Sequence, residues 1–303
     1  MSVAAIINPL SGAGADPRVV ERRISFLRDR FRDTDVDGTI AVTERARHAY
    51  ELAAAAASAG VDVIIAWGGD GTVNEIGSAI AGSSSALAVI PAGSGNGLAA
   101  AIGAPRNPAA AFDVAMRGRT RQIDAGEIDG RLFFNIAGIG FDAEIARRFN
   151  TLARGNRGMG PYLRIGLQAA CTYRAQTYRL RLDGEAFESK ALLIAFANGC
   201  EYGNKACIAP HACIDDGRLE AVVVNDRSLL SRLWSGRHLA LRTAQRARGV
   251  TFRSIQEAVV ESERPMEYHV DGEPGQASGP LAVRIRPGLL RVKTPADTAG
   301  GTG

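Results

Sequence analysis

WGGDGTVNE, at residues 67–75, follows the apolar run VDVIIA at 61–66. The apolar run predicts a buried strand over 61–67, and the residues after the glycines predict a helix over 72–81. A glycine-lined turn between a strand and a helix lets backbone N–H groups approach an oxyanion closely, and the helix adds its positive N-terminal end. The stretch therefore predicts a βα unit with a phosphate-binding turn, in which Asp70 is a lone carboxylate among glycines.

Two more glycine-bearing segments follow predicted strands. NPLSGAG at 8–14 ends the strand pattern 3–9, and GSGNG at 93–97 comes after the strand pattern 86–90. Short buried strands that alternate with helices favour a largely parallel sheet, whose ligands bind beyond the carboxyl ends of the strands. Three such loops favour phosphate binding over simple tight turns. None of the three is a Walker A loop or a GxGxxG loop with an acidic ribose ligand.

Helix signals fill the intervals between these strands. Asp16 is placed to cap a helix that Pro17 opens, and an Ala-rich helix over 44–59 is stopped by Gly60. Four apolar residues share one face of the first helix: Val20, Ile24, Leu27 and Phe31. The first part of the chain therefore predicts an α/β domain.

After about Gln122 the pattern becomes that of antiparallel β structure. Asp129-Gly130 and Asp183-Gly184 each separate two strand patterns, which is a hairpin signal. Further strands are predicted over 191–197, 219–224, 266–270 and 282–286, and helices near 142–149, 160–174 and 228–247. The predicted architecture is an α/β domain over 1–123 and a β-rich antiparallel sandwich domain over 124–286. The tail 287–303 is a candidate to return to the first domain, and its small polar end, 295–303, is expected to be disordered.

The composition is that of a soluble globular protein. Of the 303 residues, 46% are apolar and 22% charged, and no apolar run approaches the roughly 20 residues that span a bilayer. The N-terminal MSVAAIINPL has no basic region, so we expect no signal peptide and a cytoplasmic location. The four cysteines, Cys171, Cys200, Cys207 and Cys213, form no CxxC pair and are expected to be free thiols.

Positive charge is concentrated in two stretches without acids, 145–182 and 227–256, although the formal net charge is only +4. The first carries Arg147, Arg148, Arg154, Arg157, Arg164, Arg174, Arg179 and Arg181, and the second carries Arg227, Arg232, Arg237, Arg242, Arg246, Arg248 and Arg253. Such segments suit an anionic partner, either nucleic acid or a membrane surface, and solvated helical faces are the alternative. Few aromatic residues accompany the arginines and no RNA-binding signature occurs, so a nucleic-acid partner is not expected.

Asp70 restricts the chemistry of a phosphate site. Two anions at contact distance repel, so we do not expect its carboxylate to touch the phosphates. It could instead hold a divalent cation through water or orient the hydroxyl of a nucleophile. Both roles belong to phosphoryl transfer.

The ordered set of motifs resembles one family. NPLSG at 8–12, GGDGTVNE at 68–75 and IPAGSGN at 90–96 are similar in order and spacing to the diacylglycerol kinase catalytic domain, a group that includes bacterial diacylglycerol and lipid kinases, sphingosine kinases and ceramide kinases. The resemblance continues through TERARHA at 43–49, IDAG at 123–126, GIGFDAE at 138–144, YGN at 202–204, IAPHACIDDGRLE at 208–220 and VDGE at 270–273, and so covers nearly the whole chain. It implies a first domain like that of phosphofructokinase and NAD kinase.

The resemblance also implies roles for particular residues. ATP would be held by Asn8, Pro9, Leu10, Ser11, Gly12, Thr43, Gly69, Asp70, Gly71, Thr72, Val73, Asn74, Glu75 and Ser94. A Mg2+ ion would be bound by Asp216 and the backbone carbonyls of Cys213 and Arg218, with Asp215 beside it. The general base is Glu273 by similarity to bacterial diacylglycerol kinases, or Asp70 by similarity to sphingosine kinases. Asp142 and Glu144 could hydrogen-bond a lipid headgroup or act as helix N-terminal caps.

One departure from the bacterial diacylglycerol kinases concerns the substrate. Those enzymes commonly have an aspartate after the Asn of the GTGND loop, where this chain has Gly97. The segment GSGNGLA is more similar to the GSGNALA of sphingosine and ceramide kinases. Diacylglycerol is therefore weakened as the default substrate, and a sphingoid base is not established.

Together these features predict a Mg2+-dependent lipid kinase at the inner membrane face, which transfers the γ-phosphoryl group of ATP to a lipid hydroxyl in a cleft between its domains. The arginine-rich stretches, with interleaved Leu229, Leu230, Leu233, Trp234 and Leu239, are expected to dock peripherally on the membrane. A homodimer is left open. The alternatives are an NAD kinase-like phosphotransferase with a soluble substrate, which the PAGSGNG segment disfavours, and a non-catalytic nucleotide- or lipid-binding homologue, which the presence of Asp70, Asp216 and Glu273 disfavours.

Overall fold

The computed structural model describes residues 1–12, 16–152, 173–201, 207–226 and 249–296. The chain forms two compact units. Unit 1 comprises Met1–Ile123 and Gly288–Gly303, and unit 2 comprises Asp124–Pro287. Unit 1 is therefore assembled from the two ends of the sequence.

Unit 1 is built on a parallel sheet. Its strands are β1 (Val3–Ile7), β2 (Gly38–Val42), β3 (Val63–Gly68) and β4 (Ala86–Pro91), and its helices are α1 (Pro17–Thr34), α2 (His48–Ser58), α3 (Asp70–Ile80), α4 (Gly97–Ala101) and α5 (Pro108–Arg117). The strands lie in the order β4-β3-β1-β2, and each neighbouring pair is parallel. Every residue of β1 and β3 is buried, as expected for strands covered on both faces.

Helix α1 begins where the sequence predicts. The Asp16 side chain accepts a hydrogen bond from the N–H of Arg18 at 2.9 Å, and Pro17 occupies the first turn. Leu27 and Phe31 bury the apolar face of the helix against the sheet. The α/β prediction for this part of the chain is confirmed.

Unit 2 is built on antiparallel strands. Its elements are β5 (Arg119–Ile128), β6 (Arg131–Phe133), β7 (Ile136–Gly140), α6 (Phe141–Leu152), β8 (Gln176–Leu182), β9 (Glu185–Ala197), β10 (Leu219–Asn225), β11 (Val250–Ile255), β12 (Glu257–Glu261), β13 (Met266–Val270), β14 (Glu273–Ala277) and β15 (Leu281–Thr294). The main path runs β14-β13-β7-β9-β8-β12-β15, with β10 and β11 added beside β9. Strands β5 and β15 cross the boundary between the units, and the C-terminal part of β15 pairs in parallel with β4.

Three Asp-Gly turns close hairpins in unit 2. Both residues have positive φ at Asp129-Gly130 (51° and 72°), Asp183-Gly184 (44° and 87°) and Asp271-Gly272 (48° and 89°). Positive φ at both central residues defines the type I′ turn, which matches the twist of a hairpin. The two hairpins expected from the sequence are confirmed, and the third lies in the VDGE motif.

The cysteine prediction is wrong for two residues. Cys200 and Cys207 form a disulfide across a short loop, whereas Cys213 is a free, exposed thiol. The sequence showed spacing alone, and bonding depends on the Cα–Cα separation, which is 5.2 Å here. Cys171 lies outside the described residues.

Other predictions fall partly outside the described residues. This holds for most of the helix near 160–174, for the helix near 228–247, and for the tail from 297 onward. Over the portion that the structure describes, no helix is long and apolar enough to cross a membrane.

Candidate active site

The loops singled out in the sequence meet at one edge of the unit 1 sheet. Parallel strands β1, β2, β3 and β4 end at the same edge, and the chain leaves them at Asn8, Thr43, Gly69 and Ala92. This edge is where open parallel sheets bind their ligands.

The first loop is joined to helix α3. Asn8 Nδ2 donates to Thr72 Oγ1 at 2.8 Å, and the Asn8 N–H donates to the Trp67 carbonyl at 3.0 Å. Asn8 Oδ1 accepts the N–H of Leu10 at 2.9 Å, and Ser11 Oγ donates to the Asn8 carbonyl at 2.8 Å. The loop is thereby held in one shape, with the Leu10 side chain exposed.

Asp70 joins the second loop to the third. Its Oδ2 accepts the N–H of Asn96 at 2.8 Å, and its Oδ1 accepts the N–H of Gly97 at 2.7 Å. Both carboxylate oxygens therefore hold backbone of the GSGNG segment. This anchoring role was not among the roles predicted for Asp70.

The same two loops touch through bare backbone. A Cβ on Gly93 would lie 2.6 Å from Gly69 Cα, and one on Gly69 would lie 3.2 Å from Gly93 Cα. A side chain at Gly93 would therefore collide with the backbone of the second loop, whereas one at Gly69 would make a tight contact.

The other predicted nucleotide residues have distinct environments. The Thr43 N–H donates to the Ile7 carbonyl at 2.9 Å, and Glu75 Oε1 accepts the N–H of Arg47 at 3.1 Å. The Val73 side chain is buried in the core, so it would contribute only its backbone to a ligand. Ser94 is exposed at the bend of the third loop.

Arg23 is a site residue that the sequence interpretation missed. Its Nη1 donates to the Asn8 carbonyl at 3.0 Å and to Ser11 Oγ at 3.1 Å, and its Nη2 donates to the Ser11 carbonyl at 2.9 Å. The guanidinium lies over the Trp67 ring, 5.5 Å from the centroid, and burial lowers its pKa. A signal was present, because Arg23 lies three residues after Val20 and four before Leu27, on the apolar face of α1.

In unit 2 the VDGE motif forms a hairpin turn that is held in place by hydrogen bonds to its own aspartate. The Asp271 carboxylate accepts three backbone N–H groups, from Phe134 at 2.9 Å, Asn135 at 3.0 Å and Ile136 at 2.9 Å. Glu273 follows the turn as the first residue of β14 and is exposed. The turn therefore presents Glu273 on a rigid support.

Asp142 and Glu144 both lie in the first turn of α6, but their side chains are buried. Asp142 Oδ2 is 2.7 Å from Nε2 of the buried His269, whose Nδ1 accepts the N–H of Gly272 at 3.2 Å. Glu144 pairs with Arg147 at 2.8 Å. The pKa of Glu267 is raised, mainly because its carboxyl is partly buried and also because it hydrogen-bonds with the Glu144 carboxylate. Asp142 thus supports the DGE turn through His269.

Gly138 leaves room for the Asp142–His269 pair, so Gly138→Ala should destabilise the protein. A Cβ at this position would fall inside contact distance of Asp142 Oδ2 and lie 2.6 Å from His269 Nε2. We expect the free energy of unfolding to fall by about 1–3 kcal/mol, the usual cost of overpacking, measured by urea denaturation. Gly279→Ala is the control, because a Cβ there meets nothing within 4 Å. Equal stability of the two variants would contradict the expectation.

The proposed metal ligands lie on the loop before β10. Asp216 Oδ1 accepts the N–H of Arg218 at 3.0 Å, and Cys213 Sγ donates to Asp215 Oδ1 at 3.3 Å. Asp124 closes this loop by accepting the N–H of Gly217 at 2.7 Å. Among the residues that the structure describes, no group of three or more His, Cys, Asp or Glu side chains is arranged so that it could hold a metal ion. One exposed carboxylate with carbonyl oxygens fits a hydrated Mg2+ rather than a closed cage of side chains.

The predicted residues are thus divided between the two units. Unit 1 brings together the loops that contain Asn8, Asp70 and Ser94, while unit 2 contains Glu273 and the loop with Asp216. Glycine loops gathered at the carboxyl edge of a parallel sheet are the arrangement in which α/β proteins bind phosphate-bearing ligands.

Comparison with known protein families places the chain in one family of α/β proteins. The model of the diacylglycerol kinase catalytic domain matches residues 2–128, and that of the YegS C-terminal NAD kinase beta sandwich-like domain matches 135–294. The chain belongs to the diacylglycerol kinase catalytic-domain family. The prediction of an α/β domain followed by a β sandwich-like domain is confirmed.

Individual relatives support this assignment over most of the chain. A Chromohalobacter salexigens protein named "Probable lipid kinase YegS-like" is 32% identical over 275 residues, covering 89% of this chain and 88% of the relative. A Mycobacterium tuberculosis protein named "Diacylglycerol kinase" is 33% identical over 262 residues, covering 82% and 83%. The crystal structure of a Bacillus anthracis diacylglycerol kinase superposes with a TM-score of 0.71 at 21% identity, covering 97% and 96%, and supports the fold.

Proposed function

We propose that the protein is a lipid kinase that transfers the γ-phosphoryl group of ATP to a hydroxyl of a membrane lipid. The observation that carries the proposal is the joining of the glycine loops by Asp70 and Asn8 at the carboxyl edge of the unit 1 sheet. Relatives that match over most of the chain are named lipid kinase or diacylglycerol kinase, in agreement with this activity.

In this proposal, different residues of the chain bind the phosphates, accept the proton and position the loops. The loops and the N-terminus of α3 bind the phosphates, since backbone N–H groups and the helix end carry partial positive charge. Glu273 is the general base that accepts the proton of the lipid hydroxyl, and Asp70 holds the third loop in place. Two facts support these separate roles. Both carboxylate oxygens of Asp70 accept backbone N–H groups, and Glu273 is exposed on a rigid turn. Mg2+, held by Asp216 with the carbonyls of Cys213 and Arg218, would offset phosphate charge when bound.

The lipid is diacylglycerol, a sphingoid base or a related hydroxylated lipid. Gly97 bears on this choice, because its N–H donates to Asp70 and its position is buried. An aspartate here would add a second carboxylate beside Asp70. The loop of this chain therefore carries one negative charge less than the GTGND form.

The test is an assay with γ-labelled ATP, Mg2+ and lipid vesicles or micelles. Diacylglycerol, monoacylglycerol, ceramide, a sphingoid base and NAD are supplied separately as acceptors. We expect label in one of the lipids, and loss of labelling when EDTA removes the divalent cation. Labelling of NAD without any lipid, or of no acceptor at all, would contradict the proposal.

NAD is included for a specific reason. The C-terminal family model is itself described as NAD kinase beta sandwich-like, so an NAD kinase-like phosphotransferase is the second candidate. A soluble acceptor would make the rate independent of vesicles, whereas a lipid acceptor makes it depend on the lipid surface.

We also propose peripheral contact with a membrane. The arginine-rich stretches that suggest it lie mostly outside the described residues, so their charge alone is the support. Each basic residue near an anionic surface contributes about 1 kcal/mol. Sedimentation with phosphatidylserine vesicles should exceed that with phosphatidylcholine vesicles and should fall as salt is raised. Equal sedimentation with both would contradict the docking proposal, and light scattering of the purified protein would test for a homodimer.

A further inference from the structure

Arg23 is a buried cation held by neutral oxygen atoms. It is only 9% exposed, and its guanidinium contacts two carbonyl oxygens, one hydroxyl and the face of Trp67. Burying a charge without an opposite charge is unfavourable, and proteins rarely tolerate it unless the charge is used.

No acid in the described parts of the chain forms an ion pair with Arg23. The remaining ranges hold a single acid, Asp297, in the C-terminal tail. The loop that Arg23 supports is described over residues 8–12 and contains no charged residue, and the sequence that follows it, 13–15, contains none either. The positive charge behind this loop therefore lacks a counter-charge among the described residues.

We infer that Arg23 is the built-in counter-charge for the polyphosphate of the nucleotide, acting through the first loop without touching the ligand. The inference rests on the proposed function, because it takes ATP as the ligand of this edge. Arg23 binds the negative ends of loop groups, namely the carbonyls of Asn8 and Ser11 and the Ser11 hydroxyl. It thus neutralises the loop's acceptors and adds a positive field in a region of low dielectric.

A purely structural role makes a different prediction. If Arg23 only shaped the loop, its loss would weaken AMP, ADP and ATP alike, and a lysine, which cannot make the same three hydrogen bonds, would not restore their binding. A charge effect instead grows with the negative charge of the ligand, from adenosine through AMP and ADP to ATP. The dependence of affinity on ligand charge therefore separates the two roles.

The experiment measures the affinity of the full-length chain for these four ligands by calorimetry. Arg23→Gln keeps hydrogen-bonding groups without charge, Arg23→Lys keeps the charge, and Arg22→Gln is the matched control because Arg22 is exposed on the same helix. We expect Arg23→Gln to weaken ATP at least about tenfold, to weaken ADP and AMP progressively less, and to change adenosine by less than about twofold. Arg23→Lys should retain most of the ATP affinity, and Arg22→Gln should match the wild type.

Arg23→Met guards against a folding defect. An apolar side chain of similar length removes the cost of burying a charge, but it leaves the Asn8 and Ser11 carbonyls without this donor. The two effects oppose each other, so this variant should melt close to the wild-type temperature and still bind ATP more weakly. Equal losses for AMP, ADP and ATP, an unchanged ATP affinity, a lysine variant as weak as the glutamine variant, or failure of both uncharged variants to fold would each overturn the inference. If the wild type itself binds no ATP, the proposed function fails instead.

Discussion

Asp70→Asn should reduce kinase activity at least about 100-fold and also lower stability. The carboxylate accepts two backbone N–H groups, from Asn96 and Gly97, whereas an amide offers one acceptor oxygen and one NH2 donor. One of the two bonds is then replaced by a donor facing a donor, and the third loop moves away from the second. Displacement of a positioned group by about 1 Å can cost roughly 10²-fold in rate.

The stability change follows from the same two bonds. A hydrogen bond to a charged group contributes about 1.5–3 kcal/mol, so the free energy of unfolding should fall by about 1–3 kcal/mol, measured by urea denaturation. Asp62→Asn is the matched control. Asp62 precedes β3 just as Asp70 follows it, and its carboxylate accepts the Ser2 N–H at 2.7 Å. The control should change stability without changing kcat, and near-normal turnover of Asp70→Asn would exclude an essential role for Asp70.

Glu273→Gln should lower kcat by about 10²–10⁴-fold, the usual contribution of a positioned general base. The side chain is exposed and the turn is held by Asp271, so the melting temperature should stay close to that of the wild type. Activity and melting temperature measured on the same preparation therefore distinguish this variant from Asp70→Asn, which should lose both activity and stability.

A second glutamate in unit 2 serves as the control for Glu273. Glu257 is also exposed and is also the first residue of a strand, β12. An aspartate holds its backbone, because Asp183 accepts the N–H groups of Gln256 and Glu257. Glu257→Gln should leave kcat unchanged. If Glu273→Gln is as active as this control, the base is a different group, and Asp70 becomes the next candidate.

Local patterns predicted the loops and hairpins because their determinants are contiguous in sequence. The Asp-Gly pairs specify type I′ turns on their own, and buried strands such as β3 read as apolar runs. Strand β2 was not predicted, because it is a partly exposed edge strand whose sequence, GTIAV, mixes polar and apolar residues. Strands β11 and β12 are likewise short and partly exposed.

The missed parts of the site depend on contacts between distant residues. Asp70 and Gly97 lie 27 positions apart, and Arg23 and Ser11 lie 12 apart. An arginine in a helix is usually exposed to solvent. The one sequence signal that Arg23 is buried is its position on the apolar face of α1. The Cys200–Cys207 bond was missed for the same reason, because spacing does not give distance.

Strand β15 has a consequence for how the chain is made. Its last residues complete unit 1: Arg291 and Val292 pair with β4, the Leu289 carbonyl accepts the Gly82 N–H at 2.8 Å, and Lys293 Nζ donates to the Gly118 carbonyl at 2.8 Å. During synthesis, the edge of β4 therefore stays open until the C-terminal part of β15 has been made and can pair with it. The loops that follow β1, β3 and β4 are therefore translated well before the strand that completes the sheet carrying them.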